Sequence, residues 1–436
     1  MFWEIFKNNI RTDRTTGGSP QKTVFCCSLA NFFIRPHRRG NLMKLMQQKA
    51  KLGVTSGLFV SVFLLTLLLA ACGDNTATTL PATTTAATTT TSGATTTTAS
   101  GAATTTTSAT TAAVATTKPL QGTVRLGFFP NLTHAQALVG IGNGTFASSL
   151  GSGVKLVTTP FNAGPAAIEA LLAGEIDMTY VGPNPAINAY TKTKGEGVRI
   201  IAGAASGGVS FIVRPDSNIN TAKDMDGKKI ATPQLGNTQD VALRAYIKQA
   251  GLETKENGGT VEVVPTDNAN ILTLFENKQI DGAWVPEPWA TRLIVEKKGK
   301  LFLDERTLWP DGKFVITLLL VNTKFMNDNP DLVKAVLAAH IQVTQDIQKN
   351  PAAAKKVIND QLKALSGKPL PDQVLEDSFP KLEILLDPLK SSLLKSADSA
   401  FQLGFLGKTK PNLDGLYDLK ILNSLLQEKG LATIQQ

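Results

Sequence analysis

The feature that most restricts the fold of this chain is a repeat inside it. Ile176-Asp177-x-x-x-Val181 returns 104 residues later as Ile280-Asp281-x-x-x-Val285, and the match reaches back through a helical pattern to Val157 and Val261. Such a period is too long for a stacked solenoid. It fits two similar lobes, each a small strand-helix-strand sheet, and two lobes make a cleft.

From Gly122 onward, short apolar runs alternate with helical patterns, as in an α/β sheet. Val124 to Phe129 reads as the first strand, with Asn131 to His134 leading into a helix from Ala135. Val154 to Thr158 is a second strand, followed by a helix with Pro165 early and Gly174 at its end. Ile176 to Val181 is a third, and Gly182-Pro183-Asn184-Pro185 opens another helix with Asn184 as a candidate cap. Ligands of open α/β sheets bind beyond the carboxyl ends of strands, where helix starts point. The loops there are 131–134, 161–164, 182–185, 206–208, 234–240 and 285–289; they are rich in amides, hydroxyls and glycine and hold no Arg or Lys. Neutral donors backed by helix N-termini can hold an anion without a formal cation. Caps in any α/β protein share this composition, so the weight lies in six such loops falling on one side.

The net charge of +9 would suggest nucleic acid or a membrane surface if it were spread over the chain, but residues 1–51 hold ten Lys/Arg against Glu4 and Asp13. The remainder carries about +1, which removes the argument for nucleic-acid binding. Leu52 to Ala71 is uncharged and Leu-rich, after Lys44, Lys49 and Lys51, in the order of a secretory signal. It ends Leu69-Ala70-Ala71-Cys72-Gly73, which resembles a lipobox that would leave Cys72 lipidated at the new N-terminus; a plain membrane-spanning helix is the alternative. Either reading puts the rest outside the cytoplasm and attached to a membrane, on the periplasmic or cell-wall side. Residues 1–42 read as a mis-assigned extension or a cytoplasmic segment, 43–71 as signal peptide, and 72–118 as a lipidated Cys with a Thr/Ala-rich tether. That tether lacks the apolar mass for a core and would reach roughly 35 to 40 Å.

Cys26, Cys27 and Cys72 are the only cysteines, so the folded part has no disulfide, thiolate metal site or cysteine nucleophile. His134 and His340 are too scattered for a zinc motif. No cofactor or metal is expected.

The segments GFFPNLTHAQALVG (127–140), FNAGPAAIEALLAGEID (161–177), YVGPNPAINAY (180–190), AGAASGG (202–208), IATPQLGNTQDVALR (230–244) and DGAWVPEPWA (281–290) resemble the nitrate, taurine and aliphatic-sulfonate group of ABC-importer substrate-binding proteins. The resemblance implies an α/β, two-lobed, type II periplasmic-binding-protein fold, a Venus flytrap over 119–436. Lobe one would span about 119–208 and 316–436, lobe two about 209–315, with two crossings as a hinge. It also implies closure on a ligand and delivery to a permease driven by an ATPase, with no covalent chemistry required; a monomer is the default for a receptor that must hinge freely.

Gly236, Asn237 and Thr238 are the first candidates for the anion's oxygens, with simple capping as the alternative; Gln234 lies in the same loop. Ser206 would face them from lobe one, or serve the hinge with Gly207 and Gly208. Asn131, Asn162 and Asn184 are further amide donors. His134 is either a neutral donor or a cation at the cleft, or a local backbone partner. Trp284 and Trp289 flank Pro286-Glu287-Pro288, and Trp284 would wall an alkyl or amine-bearing ligand if it left the core. Glu287 repels an anion but would hold the ammonium of an amino-sulfonate. Asp177 and Asp281 suggest a shared strand-start role, and His340 an ordinary helical one. Two rivals stand beside the anion receptor: a receptor for an uncharged heterocycle such as a thiamine pyrimidine precursor or flavin, and a pyrimidine precursor synthase-like enzyme. The enzyme would need a cysteine-rich segment that this chain lacks.

Overall fold

In the computed structural model, residues 119–435 are described; the leader, Cys72 and the tether lie outside them. The first half contributes β1 (Gly122–Phe128), β2 (Val154–Pro160), β3 (Met178–Val181) and β4 (Val198–Gly207). The chain then crosses to a second sheet of β5 (Val209–Val213), β6 (Lys229–Thr232), β7 (Glu262–Pro265), β8 (Gly282–Pro286) and β9 (Lys300–Asp304). It returns with β10 (Val315–Asn322) and, after two long helices, β11 (Leu382–Ile384).

Strand order is β11-β4-β10-β3-β1-β2 in one sheet and β7-β6-β8-β5-β9 in the other. Three parallel strands followed by antiparallel ones recur in both: β10 runs against β3 as β5 runs against β8. The 104-residue offset carries into the register, with Leu126 opposite Met178 and Ile230 opposite Gly282. Helices Gly164–Leu172 and Asn268–Glu276 keep it too.

The recurring aspartates explain how the repeat holds. The Asp177 N–H donates to the Arg125 carbonyl at 2.8 Å while its carboxylate accepts the Arg125 N–H at 2.8 Å. Asp281 treats Lys229 the same way, at 2.7 and 2.8 Å. Each carboxylate thus clasps the preceding strand, the structural role read from the sequence.

Both sheets are covered by helices, so the strands are apolar on both faces. Leu126, Tyr180, Leu319 and Leu337 share one core, and Ile212, Ala283 and Phe275 another inside the second lobe. His340, on Pro330–Lys349, is buried between the Tyr180 hydroxyl and the Gly203 carbonyl, both at 2.8 Å. Among the described residues no helix is long and apolar enough to cross a membrane.

Candidate functional site

Strand ends aim the helix starts of both lobes at one cleft. From the first come the turn Leu132–His134 and helices Gly164–Leu172 and Pro183–Lys192; from the second, helices Thr238–Gln249, Asn268–Glu276 and Trp289–Val295. The lobes meet there. A Cβ added at Gly182 would overlap Thr238 Oγ1, and one at Gly164 would stand 3.0 Å from Asn237 Oδ1. Only glycine permits that approach.

Behind this contact lies a cavity holding about 320 Å³ of space, solvent at its mouth included. Asn131, Thr133, His134 and Asn162 line it from the first lobe, and Asn237, Thr238, Gln239 and Asn268 from the second. Thr317 of β10 closes one side, with Phe129, Pro286 and Ile316 as its apolar surface. None of these residues carries a formal charge at neutral pH. The His134 Nδ1 accepts the Phe129 N–H at 3.2 Å, which leaves the ring proton on Nε2. Burial pushes its pKa down to about 3, so His134 is a neutral donor rather than a cation.

The amides are oriented by their neighbours. Asn131 Oδ1 accepts the Trp289 indole N–H at 2.8 Å, and Gln239 Oε1 accepts from Asn237 Nδ2 at 3.0 Å. Asn131 Nδ2 and Gln239 Nε2 remain as donors. Asn162 Nδ2 donates to Asp267 Oδ2 at 3.1 Å, joining one lobe to the other. Three buried polar atoms on the cavity wall have no protein partner: Thr238 Oγ1, Asn268 Oδ1 and Thr317 Oγ1. An unpaired buried polar group costs about 1–3 kcal/mol. Three on one cavity mark a place where something else supplies the bonds.

Asn131, His134, Asn162, Asn237 and Thr238 therefore meet as the sequence suggested. The other candidates do not. The Gly236 N–H is spent on the Asp240 carboxylate at 2.8 Å, and Gln234 lies outside the cavity, its carbonyl accepting the Asn237 N–H at 3.3 Å. Asn184 donates to the Ser396 carbonyl at 3.4 Å and faces a separate cavity that shares the Thr238 wall; Gly182, not Asn184, caps its helix. Ser206 Oγ accepts the Phe314 N–H at 3.2 Å, beside the left-handed Gly207 and Gly208 of the lobe crossing.

Trp284 is wholly buried, stacked on Phe211 at 5.6 Å, and its indole N–H donates to Glu305 at 2.7 Å. It belongs to the core and offers no wall to a ligand. Glu287 is also fully buried, but its carboxylate accepts from the Thr291 N–H at 3.0 Å and from Lys381 Nζ at 2.8 Å. With that charge already paired, it has no place for a ligand's ammonium.

Sequence reasoning singled out none of Thr133, Gln239, Asn268 and Thr317. Asn268 was within reach, since the repeat maps it onto Gly164 in a loop already singled out. Thr317 was signalled only as the hydroxyl in the apolar run Val315–Leu320. Among the described residues no group of three or more His, Cys, Asp or Glu gathers as a metal site.

Two α/β lobes closed on a neutral polar cavity define a two-lobed binding-protein architecture. The chain belongs to the NMT1-like family, whose model matches residues 117–360. It is 27% identical over 215 residues to the taurine-binding periplasmic protein of Escherichia coli K12, covering 49% of this chain and 64% of that one. A binding protein of Brucella abortus is 28% identical over 198 residues, 45% of this chain and 58% of the other. The chain thus spans about three fifths of the length of the curated relatives it matches. In fold it resembles the alkanesulfonate-binding protein of Xanthomonas axonopodis pv. citri bound to MOPS (TM-score 0.58, 19% identity, 69% of this chain and 99% of that one). The nitrate-binding protein of Synechocystis PCC 6803 is similar to the same degree (TM-score 0.58, 16% identity, 72% and 90%).

Proposed function

We propose that this chain is the extracytoplasmic, ligand-capturing component of an ABC-type importer, tethered to the membrane by lipid on Cys72 and taking a small oxyanion such as a sulfonate or nitrate, or the sulfonate end of zwitterionic taurine, whose ammonium would find no carboxylate on the cavity. The observation that carries the reading is the pair of unpartnered hydroxyls on Thr238 and Thr317, both free to donate into one cavity without formal charge. Two threonine hydroxyls, the Asn131 and Gln239 amides, the His134 Nε2–H and the open first turn at Thr238 form a set of donors suited to anionic oxygens. The taurine-binding relative and the alkanesulfonate- and nitrate-binding neighbours support the choice of ligand class.

Among the described residues no carboxylate, cysteine or lysine lines the cavity and His134 is held neutral, which favours capture and release over catalysis. Because both lobes contribute donors, the ligand favours the closed form, which a permease and its ATPase partner would then recognise; the receptor acts as a monomer. Burial of Trp284 in the core weakens the case for a stacked uncharged heterocycle, although Trp289 stands beside the cavity through its bond to Asn131. A thermal-shift screen tests the reading, because a ligand that binds only the folded chain raises its melting temperature. Sulfonates, taurine or nitrate should do so, and a shift with ring compounds alone would reject the oxyanion.

A further inference from the structure

The chain first crosses between the lobes at Gly207 and Gly208, both left-handed (φ 76° and 67°). A strand of each lobe stands against this crossing: β11 pairs with β4 through Leu382 and Gly207, and β8 with β5 through Pro286 and Val209. The residues next to those pairs, Lys381 of lobe one and Glu287 of lobe two, bond the same glycine. The Gly208 N–H donates to the Lys381 carbonyl at 2.9 Å, and the Gly208 carbonyl accepts the Glu287 N–H at 2.8 Å. We infer that Lys381 is a positioning residue that braces this hinge: its ammonium ties down Glu287 of the other lobe and holds the receptor in its closed form. The inference rests on the two-lobed receptor reading and is independent of which anion binds.

The side chains complete the contact. Lys381 Nζ donates to Glu287 Oε1 at 2.8 Å and to the Thr291 hydroxyl at 2.7 Å, and that hydroxyl donates to the same Glu287 oxygen at 2.9 Å. The Thr291 N–H holds the other oxygen at 3.0 Å. Ion pairs at a protein surface contribute little. Here the carboxylate has no exposure and the lysine side chain is 23% exposed, so Lys381 supplies the counter-charge that makes a buried Glu287 tolerable. Thr291 belongs to helix Trp289–Val295, whose first residue places its indole N–H on Asn131 Oδ1, and the Glu287 carbonyl accepts the Leu132 N–H at 3.2 Å. One ammonium thus fixes the segment of lobe two that orients the Asn131 amide of the cavity.

Lys381 does not line the inner cavity; it lies in a separate surface pocket beside the crossing, with Ser206, Gly207 and Arg306. Its effect on binding is therefore indirect. Without its charge Glu287 must be hydrated, and helix Trp289–Val295 has to draw back from lobe one to admit water. The open form then gains population, and every ligand loses affinity by the same factor, because what changes is the closed fraction.

Hydrogen exchange of the ligand-free full chain tests this. The Leu132 amide is protected by a bond between the lobes, the amides of β3 and β10 by a sheet inside one of them. In Lys381→Met the Leu132 amide should exchange about tenfold or more faster, while the β3 and β10 amides keep their rates. Methanesulfonate and nitrate should lose affinity by one common factor. Adding Glu287→Gln to Lys381→Met should bring both readings back toward wild type, since no charge is then left buried. Should Lys381→Met fail to fold, Thr291→Val removes the shared hydroxyl and should give the same local acceleration, smaller in size. Unchanged Leu132 exchange, or acceleration shared equally by β3 and β10, would overturn the brace, as would unequal losses for the two anions. Binding of neither anion by the wild-type protein would reject the oxyanion reading alone and leave the exchange test of the brace standing.

Discussion

The two lobes agree where they build and differ where they bind. Asp177 and Asp281 make the same clasp at the same register, and the two sheets share their order of parallel and antiparallel strands. At the helix starts the repeat diverges: His134 corresponds to Thr238, Gly164 to Asn268 and Gly182 to Pro286. Every one of these pairs except Gly164 places both members on the inner cavity. Lobe one gives up side chains at Gly164 and Gly182, and lobe two fills the vacated space with Asn237 and Thr238. Duplication supplied two equal frames, and substitution at their facing ends made one asymmetric site.

If the clasps are only framework, Asp177→Ala and Asp281→Ala should each lower unfolding free energy by about 2–3 kcal/mol and leave ligand affinity unchanged once folded. Denaturant melts and titration separate the two effects; an affinity loss at either aspartate would break the division between frame and site. Gly182→Ala attacks the facing ends instead. Its Cβ would force the lobes apart at Thr238, and the overpacking, about 2 kcal/mol, should appear as a roughly 30-fold affinity loss with little change in the melting temperature of the ligand-free protein. Thr238→Val removes the unpaired hydroxyl without changing shape. It should cost about tenfold in affinity while ligand-free stability holds or rises, because an unsatisfied buried group is replaced by a methyl.

The smallest effect concerns pH. His134 stays neutral far below physiological pH, so affinity for nitrate should be flat between about pH 5 and 8; a rise in acid would mean that a cation forms in the cavity. Stability behaves differently. His134 and His340 are pushed down by burial to about 3 and 4, so the unfolded chain takes up protons first and stability falls as pH drops below about 6.5. Glu305, fully buried and pushed up to about 7, acts in the opposite sense: its contribution is full below about 4.5 and is lost as pH rises through 7. Thermal melts across that range should show the histidine loss on the acid side and the glutamate loss on the alkaline side.

The α/β class, the repeat and the clasping aspartates were legible because they are written in apolar periodicity and in identical residues at fixed offset. The site was half legible. Loop chemistry pointed to Asn131, His134, Asn162, Asn237 and Thr238, since polar residues after strand ends face the cleft whatever the details. It could not supply the partners of Glu287 and Ser206, because Lys381 and the Phe314 N–H stand 94 and 108 residues away in the chain. Trp284 was left between core and cleft because alternation along a strand buried on both faces does not tell the two apart. Thr317 came from an antiparallel strand of the return crossing, outside the repeat that guided the reading.

The account turns on whether the unpaired hydroxyls of Thr238 and Thr317 await an oxyanion. Titration calorimetry of the wild-type protein and of Thr238→Val and Thr317→Val with methanesulfonate, taurine and nitrate measures this directly. The account predicts saturable binding of at least one of them, weakened about tenfold by each valine. Absence of binding by all three, or binding indifferent to both substitutions, would contradict it.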